Sequence, residues 1–251
     1  MDDPLAVLRD SVERLRAIVE PLGPAELETQ AYPADWTVAD VLSHLGSGAV
    51  ISQRWIDDAV EGRPVASGFE QAVWDQWAAK SNEVKASDAV AEDGRLLERL
   101  DALDGAERAR FRFVLGPLDT DLVGFIGLRV NEHALHTWDI DVAFDHGATV
   151  PSDAAGAIVD RLELITRFTG RPTGTAHRVR VHTSDPGRDL TVVYGVDSVA
   201  LEYGAAGAAA DIELPTEAFV RLVYGRLDPA HAPATGAPAV LEELRATFPG
   251  P

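Results

Sequence analysis

Cysteine is missing from this chain of 251 residues, and methionine occurs once. Without a thiol of its own, the protein has no means to form a disulfide, a cysteine-ligated zinc site, an iron–sulfur cluster or a cysteine nucleophile. Any thiol chemistry at this protein would therefore have to use a thiol that comes from outside the chain.

Basic residues are also scarce, with 22 lysines and arginines against 41 aspartates and glutamates, and Lys80 and Lys85 are the two lysines. The formal net charge of −19 argues against nucleic acid or an anionic membrane as a partner, because both bind cationic surfaces. No apolar run is long enough to cross a bilayer, and the acidic N-terminus lacks a signal-peptide pattern. The sequence predicts a cytoplasmic protein and leaves its oligomeric state open.

The residues that are present predict two modest domains that differ in secondary structure. The composition is that of an ordinary globular protein, with 46% hydrophobic residues, and the length is more than one helical bundle needs. Helical periodicity dominates up to Gly147, and short alternating strands follow it. We therefore predict an α+β protein with a four-helix bundle at residues 1–148 and a smaller α+β domain with an antiparallel sheet at residues 149–251.

The periodicity also predicts where the individual elements lie. In the bundle, the predicted helical regions are 4–22, 37–61, 69–103 with a possible break around 86–88, and 119–144. Thr37 is predicted to cap the second of these with Asp40 as its capping-box acid, and Asp119 or Thr120 to cap the fourth. In the second domain, the predictions are a helix at 153–168, strands at 178–183, 190–194, 199–203 and 211–214, and helices at 216–224 and 240–248.

The fourth predicted helix carries a carboxylate and an imidazole on one face. At about 100° per residue, Glu132 and His136 fall in the middle of an apolar arc of roughly 120°. Burying an unpaired charge costs several kcal/mol, and a metal ion would supply the missing partner. His44, on the inward stripe of the second helix, completes a set that suits catalytic zinc with an open fourth position, or ferrous iron.

The same residues have a structural interpretation. His44 and His136 could be hydrogen-bonded core histidines with Glu132 paired to Arg129, because a carboxylate and a histidine four residues apart match many sequences by chance. His133 projects roughly 100° away from Glu132 and is left outside the site. The acidic pair at 92–93 is interpreted as a solvated helix face.

Two longer motifs contain the candidate ligands. They are Trp36-Thr37-x-x-Asp40-x-x-x-His44 and Arg129-x-x-Glu132-x-x-x-His136-x-Trp138-Asp139. Together they resemble the mycothiol-dependent maleylpyruvate isomerase family, which belongs to the DinB-like metal-dependent four-helix bundles. The resemblance continues after residue 148, where the chain is similar to the family's C-terminal, sterol-carrier-like domain.

The resemblance implies a zinc ion held by His44, Glu132 and His136. It further implies that mycothiol, a small sugar-borne thiol, ligates the open position, where zinc would lower the thiol's pKa and hold a thiolate at neutral pH. The family uses that thiolate to add to an activated double bond or to displace a leaving group. The expected function is a maleylpyruvate isomerase-like cis–trans isomerisation of a small carboxylated electrophile, or alternatively a mycothiol S-transferase.

Arginines are the candidates for contacts with the substrate and the cofactor, because guanidinium groups hold carboxylates in a bidentate manner. Arg221 and Arg226 resemble the family's C-terminal helix that ends in Gly-Arg, which implies a catalytic role, although both could be solvated helix-end residues. Arg129, one turn before Glu132, is assigned to the cofactor. It could instead orient Glu132 or contact the substrate.

Two functions of other classes stay open at this point. One is a non-catalytic binding or sensing module with structural zinc, although a closed structural site normally has four protein ligands and the motifs supply three. The other is binding of an apolar ligand by the second domain. That function would require a deep aliphatic pocket within residues 149–251.

Overall fold

The computed structural model describes residues 3–64, 66–116, 118–204 and 209–250. They form two compact units, one made by Asp3–Asp145 and the other beginning at His146. The first is mainly helical and the second combines helices with a β-sheet, which confirms the predicted α+β class. The predicted domain ranges 1–148 and 149–251 stay a prediction, and their end residues 1, 2 and 251 lie outside the described residues.

The first unit is built around four long helices. Its elements are α1 (Pro4–Val19), α2 (Pro24–Leu27), α3 (Val38–Glu61), α4 (Phe69–Ala78), α5 (Asn82–Asp101), α6 (Gly105–Arg110), β1 (Phe113–Leu115), β2 (Leu118–Thr120) and α7 (Leu122–Asp141). Helices α1, α3, α5 and α7 each pack against two of the others, which is the arrangement of a four-helix bundle. Strands β1 and β2 form an antiparallel hairpin that precedes α7.

Local signals begin and end α3 where the sequence predicts. The hydroxyl of Thr37 accepts a hydrogen bond from the Asp40 amide, and the Asp40 carboxylate accepts from the Thr37 amide and hydroxyl. Gly62, in the left-handed region with φ 68°, ends the helix. This capping box fixes the register of α3 and so places His44 about two turns into the helix.

Two boundaries in the first unit differ from the prediction. The break between α4 and α5 falls at 79–81 rather than around 86–88, and Ser81 caps α5 through its hydroxyl. Helix α7 is capped by Asp121, whose carboxylate accepts from the Gly124 amide. Asp119 and Thr120 are not the caps because both lie in β2, and strands of three residues are too short to show an alternating pattern.

The core of the bundle reaches α4 through one close helix contact. Trp77 and Val73 of α4 pack with the buried residues of α1 and α3. Gly46 of α3 permits this contact, since a Cβ atom there would lie 2.1 Å from the Trp77 ring. The indole of Trp77 therefore lies directly on the backbone of α3.

The second unit contains α8 (Ser152–Val159), α9 (Leu162–Thr169), β3 (His177–Ser184), β4 (Arg188–Tyr194), β5 (Val199–Tyr203), β6 (Ile212–Pro215), α10 (Thr216–Val223) and α11 (Pro238–Thr247). The predicted helix at 153–168 is two helices, and the strand order is β5-β4-β3-β6. Strands β3, β4 and β5 are antiparallel as predicted, whereas β6 pairs with β3 in parallel. The direction of an edge strand depends on its connection, which periodicity does not encode.

A helix that spans a membrane must be both long and apolar. Within the described ranges, no helix combines the length and the apolar character that a membrane-spanning segment needs.

Candidate metal centre

Helices α3 and α7 bring three side chains with metal-binding atoms together. The Nε2 atom of His44 lies 3.1 Å from Oε2 of Glu132, and Nε2 of His136 lies 3.7 Å from the same oxygen. One ligand atom from each residue lies within 4.8 Å of the other two. The three predicted ligand residues are therefore neighbours, and we call them the ligand cluster.

Neighbouring side chains hold the two imidazole rings in place. The Nδ1 atom of His136 lies 2.8 Å from Oδ2 of Asp139, whose side chain is fully buried. A carboxylate at Nδ1 fixes the tautomer of an imidazole and leaves Nε2 as the metal-binding nitrogen. The Trp36 ring stacks on His136 at a centroid distance of 5.8 Å and lies 5.3 Å from the His44 ring. Two oriented imidazoles and a carboxylate fit a divalent cation such as zinc.

Glu132 and His44 are open to solvent, so the prediction that Glu132 lies on a buried face is wrong, whereas the side chain of His136 is mostly buried. Solvent reaches 49% of the Glu132 side chain, 37% of that of His44 and 12% of that of His136. Helix α7 is buried nearly all round, and Leu128, Glu132 and His136 form a less buried stripe along it. An apolar arc does not reveal the open side of such a helix, because apolar residues occur on every side.

The electrostatic environment keeps Glu132 ionised. Desolvation by the surrounding protein raises the pKa of its carboxyl group. The hydrogen bond from His44 and the electrostatic interactions with His136, His44 and Arg129 outweigh this effect and lower the pKa from 4.5 to about 2. Glu132 is therefore an anionic oxygen donor at neutral pH, as binding of a divalent cation requires.

A second cluster, which we call the buried ion cluster, is formed by Ser11, Asp93, Arg129 and His133. Asp93 of α5 accepts from Nη2 of Arg129 at 2.8 Å and lies 3.1 Å from Nε2 of His133. Nδ1 of His133 lies 2.8 Å from the hydroxyl of Ser11 on α1. All four side chains are buried, and only 1% of Asp93 is exposed. This cluster ties α1, α5 and α7 together.

Arg129 directs its guanidinium group into the protein. Besides Asp93, Nη2 contacts the backbone carbonyl of Leu45 at 2.8 Å. Gly48 leaves room for this group, since a Cβ atom there would lie 2.8 Å from Nη1. Arg129 thus acts on Glu132 through its charge, and its predicted contact with a cofactor stays a prediction.

The part of the chain that contains the ligand cluster is similar to a known protein family. A family model for the mycothiol maleylpyruvate isomerase N-terminal domain matches residues 8–141, which is more than half of the chain and includes the ligand cluster. The chain belongs to this family.

Two solved structures have the same fold as this family member. A crystal structure of the mycothiol-dependent maleylpyruvate isomerase has a TM-score of 0.65 and 14% sequence identity. A crystal structure of a histidine-to-alanine mutant of the mycothiol-dependent maleylpyruvate isomerase has a TM-score of 0.66 and 13% identity. In both comparisons, 93% of this chain and 91% of the other chain are covered. A search of curated proteins gave no match.

The two candidate catalytic arginines of this family member lie in the second unit. Arg221 is buried, and its Nε and Nη2 atoms donate to the two carboxylate oxygens of Glu217 at 2.7 and 3.0 Å. Its Nη1 atom donates to the carbonyls of Arg226 and His231. Arg226 is partly buried and donates to the carbonyl of Tyr224. The catalytic role of either arginine stays a prediction.

The glycine of the Gly-Arg pattern has a structural reason. Gly225 has a φ of 69°, in the left-handed region, and a Cβ atom on it would lie 2.1 Å from Cα of Gly250. Any larger residue would separate these two segments. The pattern therefore fixes the backbone immediately before Arg226.

Sequence reasoning missed the buried ion cluster of this family member. Asp93 was expected to be solvated and His133 to play no part, yet both are buried in ionic contacts. The available signal was the four-residue spacing of Arg129 and His133, which places them on one face of α7.

Proposed function

We propose that this family member is an enzyme that holds zinc through His44, Glu132 and His136 and uses mycothiol as the nucleophile on a small carboxylated electrophile. The observation that carries the proposal is the open ligand cluster, with two imidazoles and an ionised carboxylate that an external molecule can reach. Bound zinc would supply the positive charge that lowers the pKa of a thiol toward neutrality. Since the chain has no cysteine, the thiol must come from outside.

The chain's own residues have defined tasks in this proposal. Asp139 keeps the proton of His136 on Nδ1, so Nε2 remains free to bind metal. Glu132 stays anionic at every pH at which the protein would work. Trp36 packs against the imidazole rings of His44 and His136 and limits their movement.

The proposed reaction is a cis–trans isomerisation of a compound such as maleylpyruvate. The thiolate sulfur would add to one carbon of the activated double bond, and the displaced electron pair would move onto the conjugated carbonyl group as an enolate. The former double bond is then a single bond and rotates. Elimination of the same sulfur then restores the double bond in the trans form. The thiol is regenerated, whereas an S-transferase would keep the carbon–sulfur bond and consume one thiol per product.

For the substrate carboxylate, we assign Arg226 in preference to Arg221. Arg226 directly follows Gly225 and so matches the Gly-Arg pattern, whereas Arg221 is buried and donates to the carboxylate of Glu217 and to two carbonyls. Arg226→Ala is expected to lower kcat/KM for a carboxylated substrate and to leave the metal content unchanged. Arg226→Lys should restore part of the activity, because the charge is kept but the bidentate geometry is lost.

Elemental analysis tests the ligand assignment. The purified protein is expected to hold about one divalent metal per chain, and His44→Ala and His136→Ala to hold almost none. His182→Ala serves as the control, because His182 pairs with Asp189 on the sheet of the second unit. Equal metal content in wild type and His44→Ala would show that His44 is not a ligand.

Thiol binding and thiol counting test the chemistry. Mycothiol added to the cobalt-substituted protein is expected to give a sulfur-to-cobalt absorption band at neutral pH. With maleylpyruvate, an isomerase leaves the total thiol unchanged, and a fall of one thiol per product would instead assign an S-transferase. If mycothiol gave no band and no turnover, the chain would be a non-catalytic metal-binding module.

A further inference from the structure

Beside the ligand cluster, the first unit contains an open cleft of about 510 Å³. His44 and Trp36 both line this cleft, so it shares a wall with the ligand cluster. The other lining residues come mainly from α3, α4 and α5. A molecule held in the cleft can therefore place one end at the ligand cluster.

Three tryptophan side chains form part of the lining of the cleft. Trp36, Trp74 and Trp77 are three of the five tryptophans in the chain. Trp77 is fixed against Gly46, and Nζ of Lys80 lies 3.4 Å from its ring centroid. Trp74, one turn earlier on α4, is 49% exposed. An exposed indole offers a large flat surface whose negative face attracts the polarised C–H groups of a sugar ring.

Polar groups complete the lining with both donors and acceptors. Nζ of Lys85 lies 3.1 Å from Oδ1 of Asp40, and the lysine is buried along most of its length. Ser43 is a partly buried residue of the lining, and Ser47 donates its hydroxyl to the His44 carbonyl. Hydroxyl, ammonium and carboxylate groups side by side can bond the neighbouring hydroxyls of a sugar or polyol.

The charges of the lining side chains disfavour the carboxylated substrate, which is the other ligand that the proposed reaction requires. Lys85 is already neutralised by Asp40, and Asp35 adds a second carboxylate to the lining. Away from the metal position, the side chains that line the cleft would present a dicarboxylate with two carboxylates, Asp35 and Asp40, against the single ammonium group of Lys85. A neutral polyhydroxylated group would meet no such repulsion.

We infer that this cleft binds the sugar portion of the external thiol, with a ring stacked on Trp74 and hydroxyls bonded to Asp40 and Lys85. The inference rests on the proposed function, in which mycothiol is the sugar-borne thiol. It adds that the cleft selects the thiol by its neutral sugar and that the carboxylated substrate binds elsewhere.

Titration calorimetry with three probes tests the inference on the metal-loaded protein. N-acetylglucosaminyl-inositol has the sugar without the thiol, N-acetylcysteine has a thiol without the sugar, and maleate is a dicarboxylate. Trp74→Ala and Lys85→Met are each expected to weaken binding of the sugar probe about ten-fold and to leave N-acetylcysteine unaffected. Trp74→Phe should keep most of the affinity, and Val114→Ala, an exposed apolar residue on β1, should keep all of it.

The outcomes separate this inference from the proposed function. If the sugar probe does not bind, or binds equally to wild type, Trp74→Ala and Lys85→Met, the inference is wrong even when mycothiol gives the cobalt band. If the sugar probe binds through Trp74 and mycothiol gives no band, the sugar site stands and the proposed function fails. Competition between maleate and the sugar probe would also overturn the inference. Because Trp74 is half exposed, thermal melting of Trp74→Ala should match wild type and show that folding is not the cause.

Discussion

Helix α7 carries two pairs of polar side chains with the same spacing of four residues, and their surroundings are opposite. Arg129 and His133 point into the protein and meet the carboxylate of Asp93. Glu132 and His136 lie on the open stripe and meet the imidazole of His44. The buried ion cluster contains its own permanent cation in Arg129, whereas the ligand cluster combines one carboxylate with two imidazoles.

The comparison shows that the role of each polar pair on α7 depends on the side chain that the neighbouring helix supplies. Helix α5 supplies a carboxylate that neutralises Arg129, and the result is a closed set of contacts that links three helices. Helix α3 supplies the third ligand atom, the Nε2 nitrogen of His44, and the result is a set that a divalent cation from outside would complete. We therefore expect the first cluster to control stability and the second to control binding.

The largest expected effect is on the buried ion cluster. Asp93→Asn removes the negative charge and leaves Arg129 charged and buried, which should reduce the free energy of unfolding by about 3–5 kcal/mol. Chemical denaturation measures this loss. Asp101→Asn on the same helix is the matched control, since Asp101 pairs with Arg9 at the surface and should change stability by less than about 1 kcal/mol. Similar losses in the two variants would refute the distinction between the clusters.

The pH dependence of the same variant sharpens this test. Burial raises the pKa of the Asp93 carboxyl group, but the charges and hydrogen bonds of His133 and Arg129 hold it below its ordinary value of 3.8. A carboxyl group with a lowered pKa stabilises the fold above the unfolded value and loses that contribution as the pH falls through the folded value. The stability difference between wild type and Asp93→Asn should thus shrink in acid below about pH 3.8. A difference that stays constant in acid would contradict the assigned contacts.

A smaller effect is expected from the carboxylate that orients His136. Asp139→Asn should weaken metal binding by about 10- to 100-fold, because the imidazole loses its fixed orientation and part of its basicity. Competition with a chromophoric chelator measures this change. Asp141→Asn is the control on the same helix, since Asp141 pairs with Arg14 and not with a ligand. Equal affinities in Asp139→Asn and Asp141→Asn would mean that Asp139 does not orient His136.

The smallest effect is expected for Glu132→Gln in the metal-free protein. If the carboxylate of Glu132 were buried and uncompensated, this substitution would stabilise the metal-free protein. The structure predicts the opposite sign, because His44, His136 and Arg129 lower the pKa of Glu132 from 4.5 to about 2. The carboxylate therefore contributes stability above pH 4.5 and loses it as the pH falls toward about 2.

The size of this last effect is limited by solvent. Half of the Glu132 side chain is exposed, so screening should keep the loss in Glu132→Gln below about 1 kcal/mol. Thermal unfolding of wild type and Glu132→Gln with excess chelator measures this loss of stability, at about pH 5.5 and again in strong acid. A higher melting temperature for the variant at the higher pH would restore the interpretation of a buried, uncompensated charge.

These clusters also show which features of the structure could be predicted from the sequence. The capping box of Thr37 and Asp40 is encoded within four residues, so the start of α3 and the position of His44 were predictable. The side of α7 that faces water was not, because that helix has apolar residues all round. Asp93 was mistaken for a solvated residue because its partners, Arg129 and His133, are distant in sequence and reach it only through the packing of α5 on the bundle.

The stacking of Trp36 has a consequence for observing the protein in solution. Its indole lies 5.3 Å from the His44 ring and 5.8 Å from the His136 ring. A paramagnetic ion such as Co²⁺ bound at these rings would lie close enough to quench the emission of this indole. If metal binds there, the fluorescence of Trp36 would report metal occupancy, and loading could be followed in real time without a label. Trp36→Phe would keep an aromatic ring against the imidazoles and abolish that part of the signal.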